Sequence, residues 1–314
     1  MTPFGGVGRG PRGYTDGGPE IFVDELTRFA AQVRDRQVAA IAEELGAPLR
    51  VGVRGRRGVG RRTVEQALRQ AGVLITAGQR AGADVADVVD VVVYAVAEVV
   101  KPEDTAAVTA LAALPQPTLV VLNKADLTGG ATVDDVCARI GAPTVPMSGL
   151  LALAADAARP ADVLCQAIGA AAIDQLVADW RGRSIDQVRA LLRRLSGVDE
   201  VRRRLDAAGA VVRYRRVAEA VVRLEALAVG SRFGGQIAAF LARDDVVLAR
   251  LVAAVELADA AEAAGTVADP AAQLDRALCW QRRRGAPLGA LYQACAADIV
   301  RGSLRIWLRA GGAV

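Results

Sequence analysis

The chain has 314 residues, a net charge of only +4, 4% aromatic residues and no histidine. Without histidine, imidazole general-base catalysis, a Ser-His-Asp triad and histidine metal sites are excluded. Ala, Val and Leu dominate, which favours helices packed on buried parallel strands over an all-β fold, and the length suffices for two domains.

Residues 1–20 are rich in glycine, are broken by proline and lack the apolar run of a secretory signal. They are predicted to form a flexible tail. The longest uncharged run, at 105–123, contains Pro115 and Pro117 and predicts helix, turn and strand instead of a membrane span. Four widely spaced cysteines without a CxxC pair are typical of free thiols in a reducing compartment, so a cytoplasmic protein without a metal site is expected. They are Cys137, Cys165, Cys279 and Cys295.

After the tail, apolar residues at helical spacing predict a helical lead-in of one or two amphipathic helices over 21–46. Short apolar runs then alternate with helical stretches over 47–158, which is typical of βαβ units around a parallel sheet. The runs predicted as strands are LRVGV, GVLIT, DVVVYAV, TLVVLN and PTVP. The fold class is therefore α/β in this part.

The strand pattern stops beyond this domain, and helical periodicity predicts an α-helical C-terminal domain over 159–314. GSRFGG at 230–235 is the best candidate for a helix break, followed by residues 265–270. Arginine clusters occur at 202–204, 213–216 and 282–284, and a solvated helix face is the favoured interpretation over a phosphate-binding patch.

A glycine-rich stretch, GRRGVGRRT at 55–63, follows the first predicted strand and opens a predicted helix. It matches the pattern GxxxxGK[ST], with Gly55 and Gly60 as the glycines, Arg61 at the lysine position and Arg62 at the hydroxyl position. Glycines allow a backbone to wrap around phosphate oxygens, and the helix N-terminus adds donors. The stretch predicts a phosphate-binding loop, and a glycine-rich turn without a ligand is the alternative.

The two arginines change the chemistry expected of this loop. A guanidinium cannot bind a metal ion, so Arg62 argues against normal Mg²⁺ coordination and hydrolysis. Thr63 offers a hydroxyl one position late, where the helix has turned by about 100°. The nucleotide contacts expected in this loop are Gly55, Gly58, Gly60, Arg61, Arg62 and Thr63, and the two arginines could neutralise phosphate charge without a metal ion.

A second motif, TLVVLNKADL at 118–127, places polar residues directly after a buried strand. The carboxylate of Asp126 can accept two hydrogen bonds from a guanine edge, and Asn123 can bond the other edge. The aliphatic stem of Lys124 can lie along the base. These residues predict a guanine-reading loop.

With both motifs, the chain resembles the translation-factor-related GTPases, nearest to the Era-like and dynamin-like members, over roughly residues 49–150. VPMSGLL resembles the last motif of that class, with Ser148 and Gly149 where a backbone amide of the family contacts the guanine carbonyl oxygen. The resemblance implies a shortened P-loop G-domain-like sheet, GTP or GDP as the nucleotide, and self-association or pairing with a partner GTPase.

Departures from the family pattern are equally informative. In ITAGQ, at 75–79, Ile75 replaces the aspartate that in this family reaches Mg²⁺ through water, while Gln79 keeps its place. Only 12 residues separate Thr63 from Thr76, which leaves no room for the first switch loop. An ordinary polar turn is the alternative interpretation of this segment. The replacements at Arg62 and Ile75 and the missing switch loop all remove groups that bind Mg²⁺ or the γ-phosphate in this family. The motif expected to read the base is intact.

The favoured prediction is therefore a pseudo-GTPase, a regulatory or scaffold protein that pairs with an active relative and hydrolyses GTP little or not at all. A slow GTPase that needs a partner is one alternative. Another is an arginine-rich helical scaffold that binds nucleic acid or touches an anionic membrane. Nucleic acid is the less favoured ligand, because RYRR at 213–216 offers a single tyrosine for stacking.

Overall fold

The computed structural model describes residues 18–76, 89–97, 99–127, 133–168, 182–260, 271–285 and 289–312. Residues 1–17 of the predicted tail, Gln79 and the predicted break at 265–270 lie outside these ranges. The chain divides into two compact units. One runs from Pro48 to Val212, and the other combines the described residues up to Ala47 with those from Arg213 onward.

Four parallel strands form the sheet of the first unit, in the order β1-β2-β3-β4. They are β1 Val51–Arg54, β2 Val91–Ala97, β3 Thr118–Asn123 and β4 Thr144–Met147. The prediction of an α/β domain with a parallel sheet is confirmed. The run GVLIT, however, does not form a strand of its own, because only Ile75 makes an isolated parallel bridge, with Val51.

Helices account for most of the remaining described residues. In chain order they are α1 Gly18–Val33, α2 Arg36–Gly46, α3 Arg61–Gln70, α4 Pro102–Ala112, α5 Val133–Ile140, α6 Gly149–Asp156, α7 Pro160–Ile168, α8 Ile185–Ser196, α9 Val198–Gly230, α10 Gly234–Ala242, α11 Asp244–Ala260, α12 Ala271–Arg283 and α13 Ala290–Arg309. The break between α9 and α10 falls within GSRFGG, as predicted. No helix in the described part of the chain combines the length and apolar character that a membrane span requires.

The sheet is buried on both faces, and alternate residues of its strands enter two separate core layers, as the period of a strand requires. One layer packs β-strand residues against α3, α6 and the start of α9, and includes Val53, Val93, Val121, Val64, Leu68, Ala152 and Val201. The other packs them against α4 and α5, and includes Val92, Tyr94, Leu122, Val108, Leu111 and Ile140. The carboxyl ends of the strands are thereby held at one edge of the sheet, where the predicted motifs lie.

The second unit is helical. Phe29 stacks on Phe240 with ring centroids 4.5 Å apart. A charged network lies in its interior, where Arg250 donates to Asp298 (Nη2 to Oδ1, 2.6 Å) and the hydroxyl of Tyr214 donates to the same carboxylate at 3.0 Å. All three side chains are buried. Burial and the adjacent Asp298 carboxylate raise the pKa of the Cys295 thiol to about 12.

Candidate functional site

The loop between β1 and α3 owes its shape to glycine. Gly55, Gly58 and Gly60 adopt φ angles of 147°, 91° and 80°, a region that residues with a side chain rarely enter. Gly60 is also the N-cap of α3. A Cβ on Gly60 would lie 2.4 Å from Nδ2 of Asn123, and one on Gly55 would lie 2.5 Å from the carbonyl oxygen of Ala95. The glycine spacing seen in the sequence is therefore required both by backbone conformation and by close packing.

Asn123, at the end of β3, joins the glycine loop to the start of α6. Its Nδ2 donates to the carbonyl oxygen of Val59 at 2.8 Å, and its Oδ1 accepts from the amide of Gly149 at 3.0 Å. The side chain is only 2% exposed. The residue expected to read a base thus has a positioning role as well, because it holds three loops of the site together.

The rest of the NKAD motif forms a turn at the sheet edge. Lys124 has a positive φ of 60°, and its carbonyl oxygen accepts from the amide of Leu127 at 3.0 Å. The amide of Ala125 donates to the carbonyl oxygen of Met147, at the end of β4. Asp126 is exposed, so its carboxylate remains accessible to a ligand.

Ser148 and Gly149, the candidates from the last motif, use their amides within the protein. The amide of Ser148 donates to the carbonyl oxygen of Ser196 at 2.8 Å, and its side chain caps α6 by accepting from the amide of Leu151. The amide of Gly149 is bonded to Asn123. The structure therefore brings this motif to the site and shows it bracing the loops.

A cleft of about 570 Å³ opens at this edge of the sheet. Among the described residues that line it, five are cationic and none is acidic. These lining residues are Gly55, Arg56, Arg57, Gly58, Gly60, Arg61, Arg62, Thr63 and Lys124. All of the predicted phosphate contacts therefore meet at one cleft, and its chemistry suits an anion.

Hydrogen bonds to Asp104 and Val99 hold Arg56 in place, and the sequence did not predict them. Its Nε donates to Asp104 at 3.1 Å and its Nη2 donates to the carbonyl oxygen of Val99 at 2.9 Å. Asp104 is fully buried and also accepts from the hydroxyl of Tyr94 at 3.1 Å and from the amide of Lys101 at 3.0 Å. Burial, reinforced by the Asp104 carboxylate, raises the pKa of Tyr94 to about 12.

The positions that would serve Mg²⁺ in the resembling family carry unsuitable groups. Arg62 is exposed at the start of α3, and Ile75 is a buried apolar side chain bridged to β1. Thr63 lines the cleft, with its methyl group facing Gly149. Within the described ranges, no group of three or more Cys, Asp or Glu side chains is arranged to hold a metal ion.

The arginine clusters on the helices carry many internal contacts. Arg203 and Arg204 both donate to Glu200, and Arg213 pairs with Glu256 at 3.9 Å. Arg283 stacks over the ring of Trp280 at 4.8 Å from its centroid. The clusters at 202–204 and 282–284 are exposed, as expected of solvated helix faces, whereas Arg213, Arg215 and Arg216 are only partly exposed.

Comparison of the chain with protein-family models gave no match, and comparison with curated proteins gave none either. The geometry of the site therefore carries the functional argument.

Proposed function

We propose that the sheet-bearing unit is a pseudo-GTPase domain that binds a guanine nucleotide and hydrolyses it little or not at all. In this proposal the loop at 55–63 holds the phosphates, and the turn at 123–126 faces the base, with Asp126 as the reader of its edge. In this proposal the helical unit signals to a partner whether nucleotide is bound. The partner is either a second copy of this chain or an active GTPase.

The observation that carries the proposal is the junction at Asn123. Its carboxamide bonds both Val59 of the glycine loop and Gly149 at the start of α6, so the glycine loop and the NKAD turn are fixed in one arrangement. A fully satisfied buried carboxamide rigidifies the loops around it, and rigid loops support binding of a ligand between them. The adjacent cationic cleft supports the same conclusion.

Weak or absent hydrolysis follows from the groups at the metal positions. Phosphoryl transfer in the resembling class relies on Mg²⁺ to bridge and neutralise the outer phosphates. The part of the cleft lining that the structure describes offers one hydroxyl, that of Thr63, and no carboxylate. Arginines can neutralise phosphate charge without a metal ion, but they cannot replace its coordination of an attacking or leaving oxygen.

Calorimetric titration with GTP, GDP and ATP, each with Mg²⁺ and with EDTA, tests the proposal. We expect guanine-selective binding that persists in EDTA and is lost in Asp126→Ala. Asp134→Ala, which changes an exposed carboxylate on α5 outside the NKAD turn, is the matched control and should bind as the unchanged protein does. Equal affinity for ATP and GTP, or no binding of either, would refute guanine recognition.

A further inference from the structure

The five cations of the cleft are not equivalent. Arg56 is ion-paired with the buried carboxylate of Asp104, and Arg61 lies 3.6 Å from Glu65 on the next turn of α3. Two of the five positive charges are therefore already faced by carboxylates. A ligand gains less from a cation that has its own counterion.

The other three cations are Arg57, Arg62 and Lys124. None of their side chains has a hydrogen-bond or ion-pair partner among the residues that the structure describes. Arg57 and Arg62 are exposed on the two sides of Gly60, and Lys124 enters the lining from the end of β3. These cations line the cleft from the glycine loop, the first turn of α3 and the end of β3, and a multidentate anion can be held by donors on several segments.

The unpaired charge indicates the class of ligand. Five lining cations less the two that face carboxylates leave three positive charges. A nucleoside diphosphate carries roughly three negative charges at neutral pH, because its terminal phosphate has a second pKa near 6 and its inner phosphate adds one more. A triphosphate adds about one further charge, which in a P-loop enzyme is balanced by Mg²⁺. Within the described ranges, no carboxylate lines this cleft to help hold such an ion.

We infer that the cleft selects a metal-free nucleoside diphosphate, with Arg57 and Arg62 clasping its two phosphates and Lys124 completing the charge balance. This inference rests on the proposed function for the base and specifies the phosphate end. The protein then responds to GDP itself and does not cycle with GTP. Asp104 is the positioning residue of this arrangement. It holds the Arg56 guanidinium against α4, so that the phosphates are left to Arg57 and Arg62.

The test uses the full-length protein and measures dissociation constants for GDP, GTP and inorganic pyrophosphate, in EDTA and in Mg²⁺. We expect GDP to bind at least tenfold more tightly than GTP in EDTA, with no gain for either nucleotide from Mg²⁺. Arg57→Gln and Arg62→Gln should each weaken GDP binding at least tenfold. Arg61→Gln, which removes a paired cation, should weaken it less than threefold.

Arg69→Gln, on the same helix but outside the cleft lining, controls for general loss of positive charge. Because these arginines are exposed, thermal melts of all four variants should match that of the unchanged protein, which separates loss of binding from loss of folding. GTP binding as tight as GDP binding, or equal losses in Arg61→Gln and Arg57→Gln, would overturn the diphosphate inference. Provided that Asp126→Ala still weakened both nucleotides, the proposed function would stand.

The converse result is distinguishable. If pyrophosphate bound as tightly as GDP, and Asp126→Ala changed neither affinity, the proposed guanine recognition would fail. Sensitivity of that binding to Arg57→Gln and Arg62→Gln would then leave a metal-free diphosphate site without base selection.

Discussion

Asn123 holds the carbonyl oxygen of Val59 at 2.8 Å, across 64 positions of the chain. The bond connects the end of β3 to the middle of the glycine loop, and both residues are buried. Because water cannot replace a lost partner at such a place, this carboxamide helps to fix the geometry of the glycine loop.

Asn123→Ala should destabilise the protein by about 1–3 kcal/mol, since it leaves the carbonyl of Val59 and the amide of Gly149 without a partner in a buried position. Urea denaturation measures the effect. Asp126→Ala, in the same motif but exposed, should change the free energy of unfolding by no more than about 0.5 kcal/mol. Equal stability of the two variants would show that the carboxamide does not brace the loops.

Two glycines of the same loop should respond differently to alanine. Both have positive φ, so each substitution carries a conformational cost of about 1–2 kcal/mol. A Cβ on Gly58 meets nothing within 4 Å, whereas one on Gly60 would lie 2.4 Å from Nδ2 of Asn123. Gly60→Ala should therefore lower the melting temperature more than Gly58→Ala, and the reverse order would contradict the packing described here.

The raised pKa of Tyr94 makes part of the stability dependent on alkaline pH. The folded state keeps the phenol proton up to about pH 12, while the unfolded chain releases it near its ordinary pKa of 10. The unfolded state thus binds fewer protons between these values, so stability falls as the pH rises from about 10 to 12. Below pH 10 the contribution is fully present.

Measurement of unfolding free energy against pH tests this linkage. Tyr94→Phe should show a shallower decline between pH 10 and 12 than the unchanged protein. Tyr292→Phe removes a phenol that is 37% exposed and serves as the matched variant. Identical slopes for Tyr94→Phe and the unchanged protein would mean that Tyr94 titrates alike in both states.

In the helical unit, Arg250→Met should cost about 3–5 kcal/mol, because it keeps the length of the side chain but leaves the Asp298 carboxylate buried without its counterion. Arg301 lies 3.8 Å from the same carboxylate but is 54% exposed. Arg301→Met should therefore cost less than about 1 kcal/mol. Chemical denaturation of both variants makes the comparison, and similar losses would contradict the assignment of Arg250 as the principal partner.

Local patterns predicted much of the sheet-bearing unit. Continuous apolar runs such as TLVVLN became buried strands, since a parallel strand covered on both faces has no polar side. The run GVLIT was over-predicted for the same reason, because an apolar run does not say how many partners it will find, and only Ile75 bridges. The glycine spacing indicated a loop of unusual backbone conformation, which the structure places at the cleft, since positive φ is a property of single residues.

The missed parts of the site are contacts between distant segments. Arg56 and Asp104 are 48 positions apart, and nothing in the local sequence of either residue announces the other. The two adjacent arginines at 56–57, within the glycine loop, could have indicated that Arg57 lines the site. They gave no indication that only Arg56 is held by a carboxylate. The second structural unit likewise combines both ends of the chain, an association that periodicity cannot reveal.

By itself, the sequence determined the helices, four of the five predicted strands and the glycine loop, because these depend on side-chain periodicity and on backbone conformations available to single residues. Only the tertiary structure decided which charges face one another. It paired Arg56 with Asp104, gave Asn123 its role between two loops, and left Arg57 and Arg62 facing the cleft. Pairing and burial depend on distances in space, and the fold sets those distances by packing segments that the chain keeps far apart.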